Sequence, residues 1–198
     1  MDVQFHEGIS EVIATTRNGQ PNAAPMGVIN RGSLYISVYK DSHTFLNVEK
    51  NHQLVANFVA DPLIYVKTAF EDLGPDFFSP DETAPVLKAA YAWVEFTCTI
   101  PEKPTQISAV VELQPVRSVV LQRPIIPVNR AFCAVLEATI HATRYQTLGD
   151  PAYLERMTHC ERIVTKCGGR REFEAFKLLK KYLGQATTSR QQDYDQNG

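Results

Sequence analysis

Short runs in which apolar and polar residues alternate recur through the first two thirds of the chain, and they predict β-strands. The clearest run places Leu34, Ile36 and Val38 on one face of a strand. Asn18-Gly19 and Asn30-Arg31-Gly32 separate neighbouring runs and are typical of hairpin turns, where glycine takes a positive φ. The predicted strands are residues 5–16, 23–29, 33–39, 53–60, 63–70, 93–100, 107–119 and 131–145.

The last of these strands, 131–145, has small apolar residues on one side. Ala134, Ala138 and Ala142 share that side, and Glu137 lies on the opposite, polar one. Strict alternation over this length predicts a strand with one buried face. Because the buried side chains are small, we expect another backbone or a flat group to pack closely against them.

After Gly149 the apolar spacing changes from two residues to about 3.6, which predicts helices. Asp150-Pro151 is a typical helix start and Gly168-Gly169 a typical end. A second helix is expected from about Arg170 to Leu183, ended by Gly184. The sequence therefore predicts a helical hairpin after the strands.

Three further segments complete the predicted organisation. A short helix is expected over 45–50, directly after the third strand. Residues 71–91 form an excursion with many polar residues, glycines and prolines, and its second part, 83–91, is predicted to be helical. The polar tail 185–198 is expected to be mobile.

The link between the third strand and its helix is dense in hydrogen-bond donors. It contains Lys40, Ser42, His43, Thr44 and Asn47. Exposed N–H groups at a helix N-terminus, with hydroxyls and a lysine nearby, are suited to binding an anion such as a phosphate. The alternative is an ordinary polar turn in which Ser42 or Thr44 caps the helix.

The predicted second strand is unusually poor in bulky residues. Its central positions are Asn22, Ala23, Ala24, Pro25, Met26, Gly27 and Val28. Small side chains would let the backbone approach a flat ring and hydrogen-bond to it. The alternative is an edge strand, because Pro21 and Pro25 have no N–H to donate to a neighbouring strand.

The composition is that of an ordinary globular protein, with 44% hydrophobic and 21% charged residues in 198. The formal charge of −2 gives no overall electrostatic reason to expect nucleic acid or an anionic membrane as partner. No apolar run is as long as a membrane span, and Met1-Asp2-Val3-Gln4 has no signal-peptide pattern, so a cytoplasmic protein is expected.

Cysteines and histidines near the end of the chain raise the possibility of a zinc site or a thiol nucleophile. Cys160 and Cys167 fall on a predicted helical stripe that already needs apolar residues, and their spacing is not that of a zinc finger. His141 and His159 complete the potential set. We interpret the cysteines as core residues and expect no metal. The sequence contains no GxGxxG, P-loop or GxSxG motif.

Several segments, in the same order along the chain, resemble the flavin reductase-like proteins with an FMN-binding split β-barrel. Within that superfamily the chain is most similar to the DUF447 group of uncharacterised, mostly archaeal proteins. The resemblance spans most of the chain, and its individual motifs are short. The matching segments are 11–16, 21–28, 42–47, 55–58, 127–132 and 135–144.

The resemblance implies a mainly β (α+β) fold, namely an FMN-binding split β-barrel with a C-terminal helical hairpin. We expect a flavin-binding domain over 1–147, a helical subdomain over 148–184 and the mobile tail beyond. It also implies a homodimer with FMN in a groove at the subunit interface. Pairing would suit a small barrel with open edges.

The resemblance also assigns cofactor-binding residues. It places the second strand along the isoalloxazine ring, and the link before the helix at the phosphate and ribityl chain. Arg144 is included because its position matches the family, and Arg130 is a weaker candidate for the same reason. The full expected set is Asn22, Ala23, Ala24, Pro25, Met26, Gly27, Val28, Tyr39, Lys40, Ser42, His43, Thr44, Asn47 and Arg144.

Two functions remain open on the sequence. One is an FMN-dependent oxidoreductase with an unknown electron donor and acceptor, in which the chemistry belongs to the flavin. The other is a non-catalytic flavin-binding or sensing module. No residue can be named as the required acid, base or nucleophile, so the catalytic residues are left unassigned. Glu137 is expected to be a network or interface carboxylate.

Overall fold

The chain forms two compact units in the computed structural model. The structure describes residues 3–80, 82–101 and 105–196, with side chains up to residue 184. The barrel unit comprises Met1–Ala60 and Asp72–Ile125. The helical unit comprises Asp61–Glu71 and Ile126–Gly198.

Six antiparallel strands close into a barrel, which confirms the predicted barrel fold. Their order around the barrel is β1-β2-β3-β6-β5-β4. Gly19 and Gly32 have φ angles of 82° and 89° at the two predicted hairpin turns. The strands are β1 (Gly8–Asn18), β2 (Gln20–Asn30), β3 (Leu34–Tyr39), β4 (Gln53–Phe58), β5 (Ala92–Thr99) and β6 (Ser108–Val120).

The barrel closes because β1 pairs with β4 as well as with β2. Three residue pairs, from Ile13↔Asn57 to Thr15↔Val55, make this closure. The open edges that favoured dimer formation in the sequence analysis are therefore absent where β1 meets β4. The shortest strand pairing in the barrel is between β2 and β3, which pair at two residues only.

The barrel interior is filled by the alternate apolar residues of its strands. Ile36 and Val38 of β3 are buried as the period-two pattern predicts, and they pack with residues of the other strands. The other fully or nearly fully buried members of this core are Phe5, Val12, Ala14, Val28, Phe45, Val48, Leu54, Ala56, Val94, Phe96, Cys98, Ala109, Val111 and Leu113.

Helix α1 (His43–Asn51) follows β3 and contributes Phe45 and Val48 to the barrel core. Ser42 is its N-cap, since the Ser42 hydroxyl accepts a hydrogen bond from the Phe45 N–H at 3.2 Å. The predicted short helix is confirmed. Phe45 and Val48 are three residues apart and so share one apolar face, which packs against the barrel while the N-terminus of the helix remains at the surface.

The excursion 71–91 is linked to the barrel wall by a buried amide, that of Asn57 on β4. Its Nδ2 donates to the Thr15 hydroxyl at 2.9 Å and to the Ile13 carbonyl at 3.1 Å. Its Oδ1 accepts from the Leu87 N–H at 2.9 Å. The Thr15 hydroxyl in turn donates to the Pro85 carbonyl at 2.6 Å.

These bonds explain why the helix predicted over 83–91 does not form. The Leu87 N–H bonds to Asn57 instead of to a carbonyl one turn earlier, and Leu87 pairs with Phe78 in an isolated bridge. Lys88 N–H donates to the Phe77 carbonyl. The segment therefore consists of bends, an isolated bridge and a turn in which the Ala90 N–H donates to the Leu87 carbonyl at 3.0 Å, and the prediction of a helix there was wrong.

The helical unit contains four helices around a second core. They are α2 (Pro62–Phe70), α3 (Arg130–Leu148), α4 (Ala152–Cys167) and α5 (Arg170–Gln196). Their core is built from small residues of α3 and larger residues of the other helices. Its buried members are Val66, Ala131, Ala134, Val135, Ala138, Ala142, Met157, Cys160, Val164, Ala175, Phe176 and Leu179.

The strand predicted over 131–145 is instead the helix α3. Ala134, Ala138 and Ala142 are four residues apart, a spacing that keeps them on one face of a strand and almost on one face of a helix. The N-cap decides for the helix, because the Asn129 side chain accepts from the Ala131 N–H at 2.9 Å. The predicted strand was wrong.

The segment predicted as a strand over 63–70 is also helical, as α2. Asp61 accepts from the Leu63 N–H at 3.0 Å, and Pro62 occupies the first turn. This is the same Asp-Pro start that predicted α4. Aromatic and β-branched residues favour strands only weakly, and burial of this short segment in the helical core overrides that preference.

Helix α5 is longer than the predicted helix, which was expected to end near Leu183. Helix α5 continues through Gly184 to Gln196, so glycine does not end it. A single glycine inside a helix costs only about 1 kcal/mol, which neighbouring turns can offset. Of the tail predicted to be mobile, 185–198, residues up to Gln196 belong to α5, and residues 197 and 198 lie outside the described residues.

The two units divide the chain at places other than the expected boundary near residue 147. Residues from Ile126 onward, and the inserted segment Asp61–Glu71, belong to the helical unit. The reason is that α2 and α3 are helices whose apolar faces pack with α4 and α5. Among the helices of the described chain, none combines the length and apolarity needed to cross a membrane.

Replacement of Asn57 by alanine is expected to lower the free energy of unfolding by about 3 kcal/mol, because it leaves the buried Leu87 N–H without its acceptor and removes the hydrogen bonds that Asn57 donates to Thr15 and Ile13. Denaturant unfolding followed by Trp93 fluorescence measures this, since Trp93 is fully buried in the barrel unit. Gln53→Ala, an exposed position on the same strand, is the control and should change stability by no more than about 0.5 kcal/mol. Equal stability of both variants would contradict the role assigned to Asn57.

Candidate functional site

The residues expected to bind a cofactor lie mostly in one region of the barrel unit. Asn22 to Val28 are on β2, Tyr39 ends β3, and Lys40 to Asn47 span the link and the first turns of α1. Arg144, in contrast, is on α3 and belongs to the helical unit. Its participation in the site stays a prediction.

A gap in the barrel wall separates most of β2 from β3. In the described strands, β2 pairs with β1 along its whole length but with β3 only at Ile29 and Asn30. Residues 20–28 therefore have a partner strand on one side only. The edge-strand interpretation of Pro21 and Pro25 is confirmed in this sense. The same gap leaves backbone polar groups of β2 free to meet a ligand.

The N-terminus of α1 lies beside this gap. The Asn22 side chain of β2 donates to the Thr44 hydroxyl of α1 at 3.2 Å, which fixes the two elements next to each other. As at any helix start, the first-turn N–H groups of His43 and Thr44 have no intrahelical acceptor. An unpaired strand edge and an N-terminal helix turn thus meet at Asn22 and Thr44.

Ser42 and Thr44 have structural partners within the chain. The Ser42 hydroxyl caps α1 and donates to the Tyr39 carbonyl at 2.7 Å, so the capping interpretation of Ser42 is confirmed. Thr44 is only 2% exposed and accepts its hydrogen bond from Asn22. Its hydroxyl proton is not used in that bond and can still be donated.

Asn47 acts as a link between α1 and the barrel. It is buried, and its Nδ2 donates to the Thr16 hydroxyl of β1 at 3.0 Å. Lys50, one turn later, donates to the Asn18 side chain at 3.0 Å. These bonds orient α1, so Asn47 positions the helix N-terminus. Sequence reasoning missed Thr16 because it lies 31 residues from Asn47 in the chain and carries no local signal.

The side chains of β2 alternate between two faces, so they cannot all line one ligand. Val28 belongs to the barrel core and Met26 packs against it, which leaves only their backbone for a ligand. Gly27 has a structural reason for its size, because a Cβ at this position would come within 2.7 Å of Ile9. Ala23 is buried, while Ala24 and Pro25 are half-buried.

The charged groups near the helix start are exposed. Lys40 lies in the link, and the His43 side chain is 70% exposed, with its Nδ1 3.9 Å from a carboxylate oxygen of Asp72. Asp72 was not expected in this region, since it belongs to the excursion after α2. Because α1 has no acidic residue in its first turn, its N-terminal dipole is not offset from within the helix.

The cysteines that invited a metal or nucleophile hypothesis are core residues, as predicted. Cys160 is buried in the helical core and Cys167 packs against it. Burial raises the pKa of the Cys160 thiol and, more strongly, that of Cys98 to about 12. Within the described residues, no group of three or more His, Cys, Asp or Glu side chains could hold a metal ion.

A large cavity in the barrel unit does not coincide with the predicted site. It has a volume of about 1060 Å³ and is lined by the β2–β3 turn, the N-terminal segment and strands β5 and β6, without any of the predicted cofactor residues. The helix terminus and the strand edge between β2 and β3, in contrast to this cavity, supply directed polar groups. Tyr39, Lys40 and His43 of the predicted site are exposed in the single chain.

Comparison with known families divides the chain into two matched regions. Residues 10–122 match the N-terminal domain model of the protein of unknown function DUF447, and residues 129–181 match the second DUF447 model. The chain belongs to the DUF447 family.

A crystal structure from the same family shows how far the DUF447 architecture is shared. The FMN-bound protein MM1853 from Methanosarcina mazei is 42% identical, with a TM-score of 0.83 over 89% of this chain and 96% of that chain. The two DUF447 chains therefore correspond over nearly their full lengths.

More distant similarities cover mainly part of the chain and carry no functional argument. The Pseudomonas fluorescens 2-nitrobenzoate 2-nitroreductase NbaA is 17% identical, with a TM-score of 0.46 over 59% of this chain and 66% of that chain. The Streptomyces globisporus NADH:FAD oxidoreductase SgcE6 is 12% identical, with a TM-score of 0.42 over 57% and 75%.

Proposed function

We propose that this DUF447 protein binds FMN at the junction of β2 and the N-terminus of α1. The observation that carries the proposal is the free edge of β2 beside the first-turn N–H groups of His43 and Thr44, with β2 and α1 held together by the Asn22–Thr44 hydrogen bond. The FMN-bound state of the Methanosarcina mazei relative supports FMN as the ligand.

The residues present fit the two chemically different ends of FMN. The N–H groups of His43 and Thr44, the Thr44 hydroxyl and the exposed Lys40 are suited to the phosphate. The backbone of β2 from Asn22 to Val28 is suited to hydrogen-bond the edge of the ring. Tyr39, which is 65% exposed, supplies an aromatic face beside the same link.

Ser42 and Asn47 have a different part in this proposal. Ser42 caps α1, and Asn47 ties α1 to Thr16, so both keep the helix N-terminus aimed at the gap. Their side chains would act mainly by orienting the N–H groups of the first turn. Arg144 remains a proposed contact from the helical unit.

The phosphate position can be tested by placing a charge at Ser42 without removing the cap. Asp and Asn both cap helices well, so Ser42→Asp and Ser42→Asn should fold alike, whereas only the first adds a carboxylate at the phosphate. We expect the unmodified protein to bind FMN at least tenfold more tightly than riboflavin, since hydrogen bonds to a charged group contribute about 1.5–3 kcal/mol.

Ser42→Asp should remove most of that preference for FMN and leave riboflavin affinity nearly unchanged, while Ser42→Asn should keep it. Quenching of flavin fluorescence during titration of flavin-free protein measures all six affinities, those of the unmodified protein and the two variants for FMN and for riboflavin. Equal losses for FMN and riboflavin, or no loss of either, would contradict a phosphate site at α1. Circular dichroism establishes that both variants retain the fold.

We propose, further, that the bound flavin undergoes electron transfer, which makes the protein an FMN-dependent oxidoreductase. FMN supplies one- and two-electron chemistry, so the protein needs only to hold and orient it. The second candidate is a non-catalytic flavin-binding module. It is favoured by the exposure of the titratable side chains Lys40 and His43, neither of which the geometry assigns as a general acid or base.

The two candidates differ in steady-state turnover. An oxidoreductase is expected to oxidise NADH or NADPH continuously in air when loaded with FMN, at a rate above that of free FMN. Absorbance at the nicotinamide band measures this rate. Protein that binds FMN stoichiometrically and gives no rate above the free cofactor with either nucleotide would favour the non-catalytic module.

We also propose that the protein is a homodimer in which the second copy covers the flavin. The openness of the site supports this, because Tyr39 and His43 are largely exposed in one chain. A molecular mass near twice 22.2 kDa in sedimentation equilibrium is expected. A mass of one chain, both with and without FMN, would argue against it. A cytoplasmic location also remains a proposal.

A further inference from the structure

A second cleft lies entirely within the helical unit, between α3 and α4. Its volume is about 510 Å³, within the range of small-molecule sites, which is about 300–1,000 Å³. Arg130, Glu137 and His141 line it from α3, and Arg156 and His159 line it from α4. None of these residues has a part in the flavin site proposed above.

Both walls of the cleft arise from helical spacing. On α3 the lining residues Arg130, Ala134, Glu137 and His141 follow one another at intervals of three or four, which places them on one face. On α4 the lining residues from Arg156 to Ile163 repeat in the same way. The short link Gly149–Pro151 makes the two helices an antiparallel pair, so these faces oppose each other.

The floor of the cleft is apolar. Ala134 and Cys160 are buried there, and Ile163 is half-buried beside them. The Cys160 thiol stays protonated, because burial and the nearby Glu137 raise its pKa. A ligand that reaches this floor must therefore present an apolar body.

The rim carries two arginines without an acidic partner. Within the described chain, neither Arg130 nor Arg156 takes part in an ion pair, in contrast to Arg171 on α5, which pairs with Asp61 and Glu174. The Arg156 guanidinium lies 5.4 Å from the centre of the Tyr153 ring, which restrains it while leaving its N–H edge available. A planar guanidinium of this kind is suited to bind a carboxylate with two hydrogen bonds.

The other titratable groups leave the charge of the cleft positive. Burial lowers the pKa of His141, the charges of Arg156 and Arg144 lower it further, and Glu137 opposes them. His141 is therefore neutral near pH 7, and Glu137 is the acidic member of the described lining. Two arginines outweigh this one carboxylate.

His141 also provides an unused polar atom. Its Nδ1 is buried and has no hydrogen-bond partner among the described residues, although the ring lies 5.9 Å from that of Tyr153. A buried polar atom without a partner is uncommon in folded proteins and calls for a reason. Because this nitrogen has no exposed surface, it does not itself face the cleft.

We propose that this cleft binds a small organic carboxylate with an apolar body. Arg156 holds the carboxylate, Arg130 adds positive potential at the rim, and the apolar body packs on Ala134, Cys160 and Ile163. The proposal does not depend on FMN binding, since no residue of the barrel unit contributes to the cleft.

The test compares 2-naphthoate with its uncharged analogue 2-naphthamide on the full chain saturated with FMN. Calorimetric titration should show naphthoate binding at least tenfold more tightly than naphthamide. Amide chemical-shift changes in ¹⁵N NMR spectra should be confined to α3 and α4 around Ala134, Arg156 and Ile163. The same titration without FMN should give the same affinity.

Arg156→Gln should weaken naphthoate binding about tenfold and leave naphthamide unchanged. Arg162→Gln is the matched control, because Arg162 is an exposed arginine of the same helix that lines a different surface. Equal binding of the two probes, equal effects of the two variants, shift changes outside the cleft, or release of FMN by naphthoate would each overturn the proposal. Thermal unfolding of both variants establishes that a loss of binding is not a loss of fold.

Discussion

The buried amide of Asn57 on β4 links two strands of the barrel unit to the excursion 71–91. It reaches β1 through Ile13 and Thr15, and through Leu87 it reaches the excursion that covers this part of the wall. A buried amide must use its donors and acceptor within the protein, because leaving them unpaired costs about 1–3 kcal/mol each. The excursion therefore has one favourable register, and Val86 packs with the fully buried Trp93 in that register.

Helix α1 shows how this fixed barrel can present a functional surface. A nine-residue helix is too short to be stable alone in water. Phe45 and Val48 anchor it in the barrel core, and Asn47 and Lys50 bond to the end of β1. The anchored face leaves the helix N-terminus beside the gap between β2 and β3. The contacts that hold α1 on the barrel therefore also leave its first-turn N–H groups available beside the gap.

The helical unit uses a different principle, close packing of small residues. Ala134, Ala138 and Ala142 of α3 are all buried, and they let α4 approach closely along most of its length. The proposed carboxylate cleft runs along α3 from Arg130 to His141, where the longer side chains Arg130, Glu137 and His141 stand beside Ala134. The segment Asp61–Glu71, though it comes from the middle of the barrel sequence, is part of this unit.

Local chemistry in the sequence determined the hairpins at Gly19 and Gly32, the strands of the barrel, the cap at Ser42 and the start of α4. Each follows from residues close together in the chain, so local propensity and pattern suffice. The tertiary structure decided α2, α3 and the irregular segment around Leu87. Alanines four residues apart satisfy both strand and helix periods, and their burial in the helical core decides for the helix. The partners of Asn57, Asn22 and Asn47 lie 22 to 44 residues away, so only folding reveals which of them are structural.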